Sequence, residues 1–144
     1  MTTNVLPDES TDFGRRVRER LRNEQVIWVT TASEDGTPQP NPVGFVWDGA
    51  DGILIYNRRD ARRLTHVRRR PRVSLNFDGD GQGGDIVVLA GHAEIVEGHP
   101  LLTDDSEYLA KYAGAVQQVF GDLDRFARQY PVAMRVQITK VRGF

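Results

Sequence analysis

The chain has 144 residues, of which 39% are hydrophobic and 27% are charged, and its formal net charge is −1. This composition is typical of one globular domain, argues against collagen-like and membrane classes, and disfavours a general polyanion binder. There is no cysteine, which excludes thiol nucleophiles, disulfides, thiolate zinc sites and iron–sulfur clusters. Any redox chemistry must therefore come from a bound cofactor.

Residues 1–10 are polar and are predicted to form a flexible N-terminus, followed by a single domain over residues 11–144. The first ten residues lack the basic and apolar segments of a secretory signal. No later stretch approaches the length of a membrane span. We therefore expect a cytoplasmic protein with no membrane partner.

The first third of the chain predicts a helix and then a strand meander. A helix begins after Ser10 or Thr11, either of which can cap it, and ends near Asn23. β-Branched and aromatic residues predict three strands after it, and turn residues separate them. These strands are Val26–Ala32 and Val43–Trp47, expected to form a hairpin, and then Ile53–Tyr56.

The remaining segments alternate between helical and strand patterns. A short helix is predicted from Asp60 to Arg70, where Pro71 ends it. The later elements are strands at Val73–Phe77 and Ile86–Val96, helices at Glu107–Tyr112 and Val116–Arg128 with a break near Gly114, and a closing strand at Val132–Val141. Sheets dominated by hairpins, with few helices, indicate an α+β barrel rather than a doubly wound fold.

Several motifs fail on their context. Gly79, Gly81 and Gly84 match a dinucleotide fingerprint in spacing, but a strand follows where that motif needs a helix N-terminus. The same loop lacks the glutamate that closes a calcium loop, so it is predicted to be a flexible hairpin loop that could cover a cofactor. The three histidines lack zinc spacing, and no serine has a nucleophile-elbow context.

Residues 57–72 contain eight arginines and a single acid, Asp60. One interpretation is a solvated helix face. The other is an anion site, because the first arginines fall where a strand ends and a helix begins, and a helix N-terminus attracts anions. Arg62 and Arg63 could then add bidentate contacts to phosphate oxygens. Asp60 would compete for the same amide groups if it capped the helix.

The order of short segments along the chain resembles the pyridoxamine 5′-phosphate oxidase-like superfamily, and within it most resembles the F420-dependent reductases of actinobacteria. The segments that carry the resemblance are Val29-Thr30-Thr31, Asp35-Gly36-Thr37-Pro38, Pro42-Val43, Trp47-Asp48-Gly49, Ile53-Leu54-Ile55-Tyr56, Ala61-Arg62-Arg63 and Arg70-Pro71-Arg72-Val73-Ser74-Leu75. The resemblance implies a split β-barrel of about six antiparallel strands with flanking helices. It also implies a homodimer with the cofactor at the subunit interface.

The resemblance further implies a set of cofactor-binding residues. A basic residue early in the short helix, usually lysine, holds the cofactor phosphate in that family, and Arg63 stands at the matching position. Tyr56, Asn57 and Arg58, together with Pro42 and Val43, would line the ring. Arg59 and Arg62 add positive charge at the same strand-to-helix junction. No catalytic side chain is predicted, and no metal.

The function expected from this resemblance is transfer of a hydride from reduced coenzyme F420 to an electron-poor organic acceptor, with a proton from solvent or from Tyr56. Alternatives are an FMN-dependent enzyme such as a pyridoxamine phosphate oxidase, and a non-enzymatic cofactor-binding protein. The cluster of arginines also suggests a further alternative, a nucleic-acid-binding protein. This alternative is disfavoured because the net charge is −1 and no aromatic platform accompanies the basic run. The expected partners are a small-molecule substrate and a second copy of the chain.

Overall fold

The structure is a computed structural model that describes residues 5–144. Seven strands and four α-helices follow one another in the described chain. The strands are β1 Ile27–Ala32, β2 Pro38–Val43, β3 Val46–Trp47, β4 Gly52–Asn57, β5 Arg72–Asn76, β6 Val87–Val96 and β7 Val132–Gly143. The helices are α1 Asp12–Asn23, α2 Arg62–Arg69, α3 Ser106–Val119 and α4 Leu123–Gln129, with a short 3-10 turn at Leu102–Asp104.

All strand pairs are antiparallel, and they form one curled sheet in the order β2-β1-β5-β6-β7-β4-β3. The α+β split barrel expected from the sequence is therefore confirmed, with seven strands in place of about six. The long central strands β6 and β7 pair along ten registered positions and are interrupted by a bulge between Ala90 and Gly91. A Cβ at Gly91 would lie 2.4 Å from a methyl of Val136, so only glycine fits at this bend.

The predicted hairpin between Val26–Ala32 and Val43–Trp47 is wrong in its second strand. β1 pairs instead with β2, in a register that places Ile27 opposite Val43 and Ala32 opposite Pro38. The pair Val46–Trp47 forms the separate strand β3 against β4. Three prolines in β2 conceal it in the sequence, but proline is tolerated there because β2 is an edge strand with no further neighbour to bond.

Helix α1 follows the sequence prediction. Thr11 caps it, since its side-chain oxygen accepts a hydrogen bond of 2.9 Å from the Gly14 amide. Val17 and Leu21 lie fully buried against the sheet. Leu6 joins the same core cluster. Residues 1–4 lie outside the described residues, so the flexible N-terminus stays a prediction.

The predicted break near Gly114 is wrong. Helix α3 runs through Gly114 without interruption, because Tyr108, Tyr112 and Val116 form a buried stripe on one face. The helical excursion breaks instead at Gly121, which has a φ of +86° and is followed by Asp122 as the cap of α4. This excursion covers a second core cluster beside β4, which includes Tyr56, Leu102 and Ala133. The cluster positions α3 and α4 over one end of the barrel.

Candidate cofactor cavity

A cavity of about 770 Å³ lies among the ends of β2 and β4, the first turn of α2, and the helices α3 and α4. Two kinds of side chain dominate its lining. The basic side consists of Arg58, Arg62 and Arg63. The aromatic wall consists of Tyr56, Tyr108, Tyr112, Phe126 and Tyr130. This division suits a ligand with an anionic part and a flat apolar part.

Arg63 is held in place by Asn57, the last residue of β4. Asn57 is 0% exposed, and its amide nitrogen donates hydrogen bonds of 3.0 Å to the carbonyl oxygens of Ile55 and Val132. Its side-chain oxygen accepts a hydrogen bond of 2.6 Å from Nε of Arg63. The guanidinium is thereby oriented through one nitrogen. Within residues 5–144, its two terminal nitrogens form no hydrogen bond and no ion pair.

The half-buried position of Arg63 has an electrostatic consequence. Burial lowers its pKa from the ordinary value, because the charged form loses solvation. No described carboxylate compensates for this loss. A bound anion would do so, and the two terminal N–H groups have the bidentate geometry that phosphate oxygens accept.

The N-terminus of α2 carries no side-chain cap. Ala61 occupies the N-cap position. The carboxylate of Asp60 lies 3.5 Å from Nε of Arg58 and does not cap the helix. Asp60 therefore does not compete with an anion for the first amide groups of α2, contrary to the possibility raised by the sequence. The positive end of the helix dipole faces the cavity together with Arg62 and Arg63.

The aromatic wall is rigidly supported. Tyr56 and Tyr108 meet edge to face at 5.2 Å, Tyr108 and Tyr112 lie 4.7 Å apart, and Phe126 stacks on Tyr130 at 4.5 Å. The hydroxyl of Tyr112 lies 2.7 Å from the carbonyl oxygen of Gln25. Such contacts fix ring orientation and stabilise the wall beyond simple burial.

Tyr56 is unsuited to proton donation. Its hydroxyl donates a hydrogen bond of 2.7 Å to Asp105, which also caps α3. Burial, and then the neighbouring Asp105 carboxylate, raise the pKa of Tyr56 well above its ordinary value. The phenol therefore keeps its proton near neutral pH and orients a ring of the aromatic wall. Tyr112 is similarly affected, and burial raises its pKa to about 12.

Six of the eight residues predicted to bind the cofactor line this cavity, and the other two do not. The six are Pro42, Val43, Tyr56, Arg58, Arg62 and Arg63. Asn57 lies behind Arg63 as its support, and Arg59 is exposed outside the lining. Contact with a cofactor stays a prediction for all eight.

The aromatic wall beyond Tyr56 was not predicted from the sequence. The four-residue spacing of Tyr108, Tyr112 and Val116 was a usable signal, because it puts all three on one face of a helix. His66 was also missed; its Nδ1 lies 2.8 Å from the hydroxyl of Thr31, and its ring lines the cavity. Sequence spacing could not reveal that contact, since it joins residues 35 positions apart.

The glycine-rich loop lies away from the cavity. Asp80 accepts hydrogen bonds from the amides of Gln82 and Gly84, which closes the loop as a turn. Asp85, at its end, pairs with Arg16 and Arg20 of α1. None of the loop residues lines the cavity. Among residues 5–144, no group of three acidic or histidine side chains could hold a metal ion.

Comparison with known proteins decides the family. The family model for pyridoxamine 5′-phosphate oxidase matches residues 13–143. The chain belongs to the pyridoxamine 5′-phosphate oxidase family. This match confirms the resemblance seen in the sequence, and it covers every strand of the barrel. A search of curated proteins gave no match.

Solved structures share the fold of the pyridoxamine 5′-phosphate oxidase family at low identity. A conserved hypothetical protein, Rv2991 from Mycobacterium tuberculosis, is 20% identical with a TM-score of 0.67, and the match covers 99% of this chain and 87% of that one. An F420 reductase is 21% identical with a TM-score of 0.61, covering 87% and 94%. The heme storage protein HutZ from Vibrio cholerae is 14% identical with a TM-score of 0.62, covering 90% and 92%. At these identities the likeness shows the fold alone.

Proposed function

We propose that the protein is an F420-dependent oxidoreductase that transfers a hydride from the reduced coenzyme to an electron-poor organic acceptor. The observation that carries the proposal is Arg63, half-buried in a cavity, fixed by Asn57 and without an acidic partner in the described chain. A group so arranged is suited to an anion that enters the cavity. The similar fold of an F420 reductase adds support.

A second basic surface favours F420 over FMN. A smaller cavity of about 360 Å³ adjoins the main one and is lined by Arg62 and Arg69 of α2, by Arg70 directly after the helix, and by Glu34, whose carbonyl oxygen accepts a hydrogen bond from Arg70. Arg62 and His66 line both cavities. FMN has a single terminal phosphate, whereas F420 has a phosphodiester followed by a glutamate tail. The arginines that line the two adjoining cavities therefore favour the longer anion.

The roles of the chain's residues follow from this arrangement. The deazaflavin ring, when bound, supplies the hydride. Arg63 and the α2 N-terminus would hold the phosphodiester, and Arg62, Arg69 and Arg70 the tail. The aromatic wall would exclude water and align an acceptor at reacting distance. A proton would come from solvent, since Tyr56 is committed to Asp105.

We also propose a homodimer in which a second copy completes the cavity. The mouth of the cavity is bordered by exposed side chains, including Val26 and Pro42, which a partner subunit could cover. Residues 5–144 contain no helix with the length and apolar character needed to cross a bilayer. A cytoplasmic location stays a prediction.

Fluorescence titration with F420 and with FMN tests the cofactor proposal. Each titration is done at about 10 mM and about 100 mM salt, where the Debye length falls from about 30 Å to about 10 Å. We expect F420 to bind more tightly than FMN and its affinity to fall more with salt, because tail contacts to exposed arginines are screened. Tighter binding of FMN at both salt concentrations would overturn the F420 assignment and favour the FMN enzyme.

A hemin titration followed by absorbance provides a third arm, because heme proteins share this fold. Binding of F420 without turnover of any acceptor would favour the non-enzymatic cofactor-binding alternative. Tight hemin binding with no F420 binding would contradict the proposal as a whole.

A further inference from the structure

A second groove, of about 590 Å³, lies on the face of the molecule formed by α1, α3 and β3. Its lining includes Arg22 of α1, Trp47 of β3, and Glu107 and Lys111 of α3. The guanidinium of Arg22 lies 5.5 Å from the centre of the Trp47 ring. None of the residues assigned to the cofactor lines this groove.

Lys111 occupies an unusual position for a lysine. Its Nζ donates a hydrogen bond of 2.9 Å to the carbonyl oxygen of Phe45 and lies 3.6 Å from the centre of the Phe45 ring. The side chain is half-buried, and no acidic group of residues 5–144 forms an ion pair with it. A lysine amine loses its charge more readily than an arginine guanidinium when it is buried without such a partner.

We propose that Lys111 is a reactive amine, acylated in preference to Lys140 by acyl phosphates whose phosphate is held by Arg22. Arg22 is exposed and forms no ion pair within the described residues, so its guanidinium is available to a dianionic phosphate. The aromatic floor at Trp47 supports the guanidinium in the same groove as the amine. An acyl phosphate bound by Arg22 would occupy the groove that Lys111 also lines.

The reaction is a simple acyl transfer. The neutral Nζ attacks the acyl carbon and forms a C–N bond, and the bond from that carbon to the phosphate oxygen breaks. Inorganic phosphate leaves with the bonding electrons, and the proton lost from nitrogen passes to water. Nothing is oxidised or reduced. The product is an amide at Lys111, which removes the charge above the Phe45 ring.

The protonation state of Lys111 supports this chemistry. Burial lowers its pKa to about 8, and the nearby Glu24 opposes that shift. The other charged groups that line the groove are Arg22, Asp48 and Glu107. At pH 7.5 a lysine with this pKa holds roughly two hundredfold more neutral amine than one with the ordinary pKa of about 10.4.

The chain provides its own control, because Lys111 and Lys140 are its two lysines and Lys140 is exposed. The folded protein is treated with limiting acetyl phosphate at pH 7.5, and acetylation at each lysine is measured by mass spectrometry of peptides. We expect Lys111 to be acetylated about tenfold faster than Lys140, since lower basicity and partial burial offset much of the gain in neutral amine. Equal or slower acetylation of Lys111 would overturn the proposal.

The role of Arg22 is tested with Arg22→Gln and with an uncharged donor, p-nitrophenyl acetate. The variant should lose several-fold of the acetyl phosphate rate at Lys111, keep its rate at Lys140, and keep the p-nitrophenyl acetate rate at both lysines. Arg68→Gln, an exposed arginine outside both the groove and the main cavity, is the matched control. An unchanged acetyl phosphate rate at Lys111 in Arg22→Gln would overturn recognition of the acyl phosphate.

Discussion

Variants of two arginines in α2, Arg63 and Arg68, test whether the arginines form an anion-binding site or only a solvated helix face. Arg63→Ala should weaken F420 binding about tenfold to a hundredfold, because one or more charge-assisted hydrogen bonds, each worth roughly 1.5–3 kcal/mol, would be lost. Arg68→Ala removes the same charge from an exposed position outside the cavity lining and should change affinity little. Fluorescence titration of both variants measures the difference. Equal losses would show that only the overall charge of the helix matters.

Asn57 offers a second test at the residue scale. Its buried side chain donates hydrogen bonds to two backbone carbonyl oxygens and accepts one from Arg63. Asn57→Ala therefore leaves these polar groups without their partners. We expect a loss of roughly 1–3 kcal/mol in the free energy of unfolding, measured by urea denaturation. Asn57→Asp keeps an acceptor for Arg63 but gives the guanidinium an acidic partner, so this variant should bind the cofactor more weakly than the wild type. Full stability in Asn57→Ala would contradict this supporting role.

Lys111 should also register in the pH dependence of stability. Its pKa is lowered in the folded state, so the unfolded chain binds more protons between about pH 8 and about pH 10. The contribution of Lys111 to stability therefore rises with pH across that window and is lowest below it. The difference in free energy of unfolding between the wild type and Lys111→Met, followed from pH 7 to pH 10, isolates this contribution from the buried tyrosines. A flat difference would show that Lys111 is solvated as in the unfolded chain.

At the scale of elements, two glycines in the helical excursion have opposite roles. Gly114 lies inside α3 with open space around it, so Gly114→Ala should raise the free energy of unfolding by about 0.5–1 kcal/mol. Gly121 has a φ of +86°, a conformation that costs an L side chain roughly 1 kcal/mol or more, so Gly121→Ala should lower it. Urea denaturation of the two variants gives the comparison. If both substitutions stabilised the protein, the helix break between α3 and α4 would not depend on the positive φ of Gly121.

For the whole molecule, the proposal that a second copy completes the cavity predicts a dimer. Gel filtration with light scattering should give twice the chain mass of 16.2 kDa at micromolar concentration. A dimer would cover the mouth of the cavity and exclude water from Arg63. This exclusion would increase the affinity of the cavity for an anion. A species with the mass of one chain at this concentration would contradict the proposed homodimer with a shared cavity.

The sequence alone determined the parts of this protein that depend on local patterns. Helical periodicity predicted α1 and α2, and alternating β-branched residues predicted β1, β4 and β7 near their observed bounds, because these signals act within a few residues. The order of motifs predicted the family, and the arginines after β4 predicted the basic side of the cavity. All of these features lie in short contiguous segments.

The tertiary structure decided what depends on distant partners. The prolines of β2 argue against a strand in the sequence. β2 nevertheless forms one because it pairs with β1 at the edge of the sheet, where proline is tolerated. Helix α3 passes through Gly114 because its tyrosine stripe packs on β4 and the neighbouring turn. The aromatic wall, the support of Arg63 by Asn57, and the position of Lys111 above Phe45 each join separate elements, and no pattern within one segment reports such contacts.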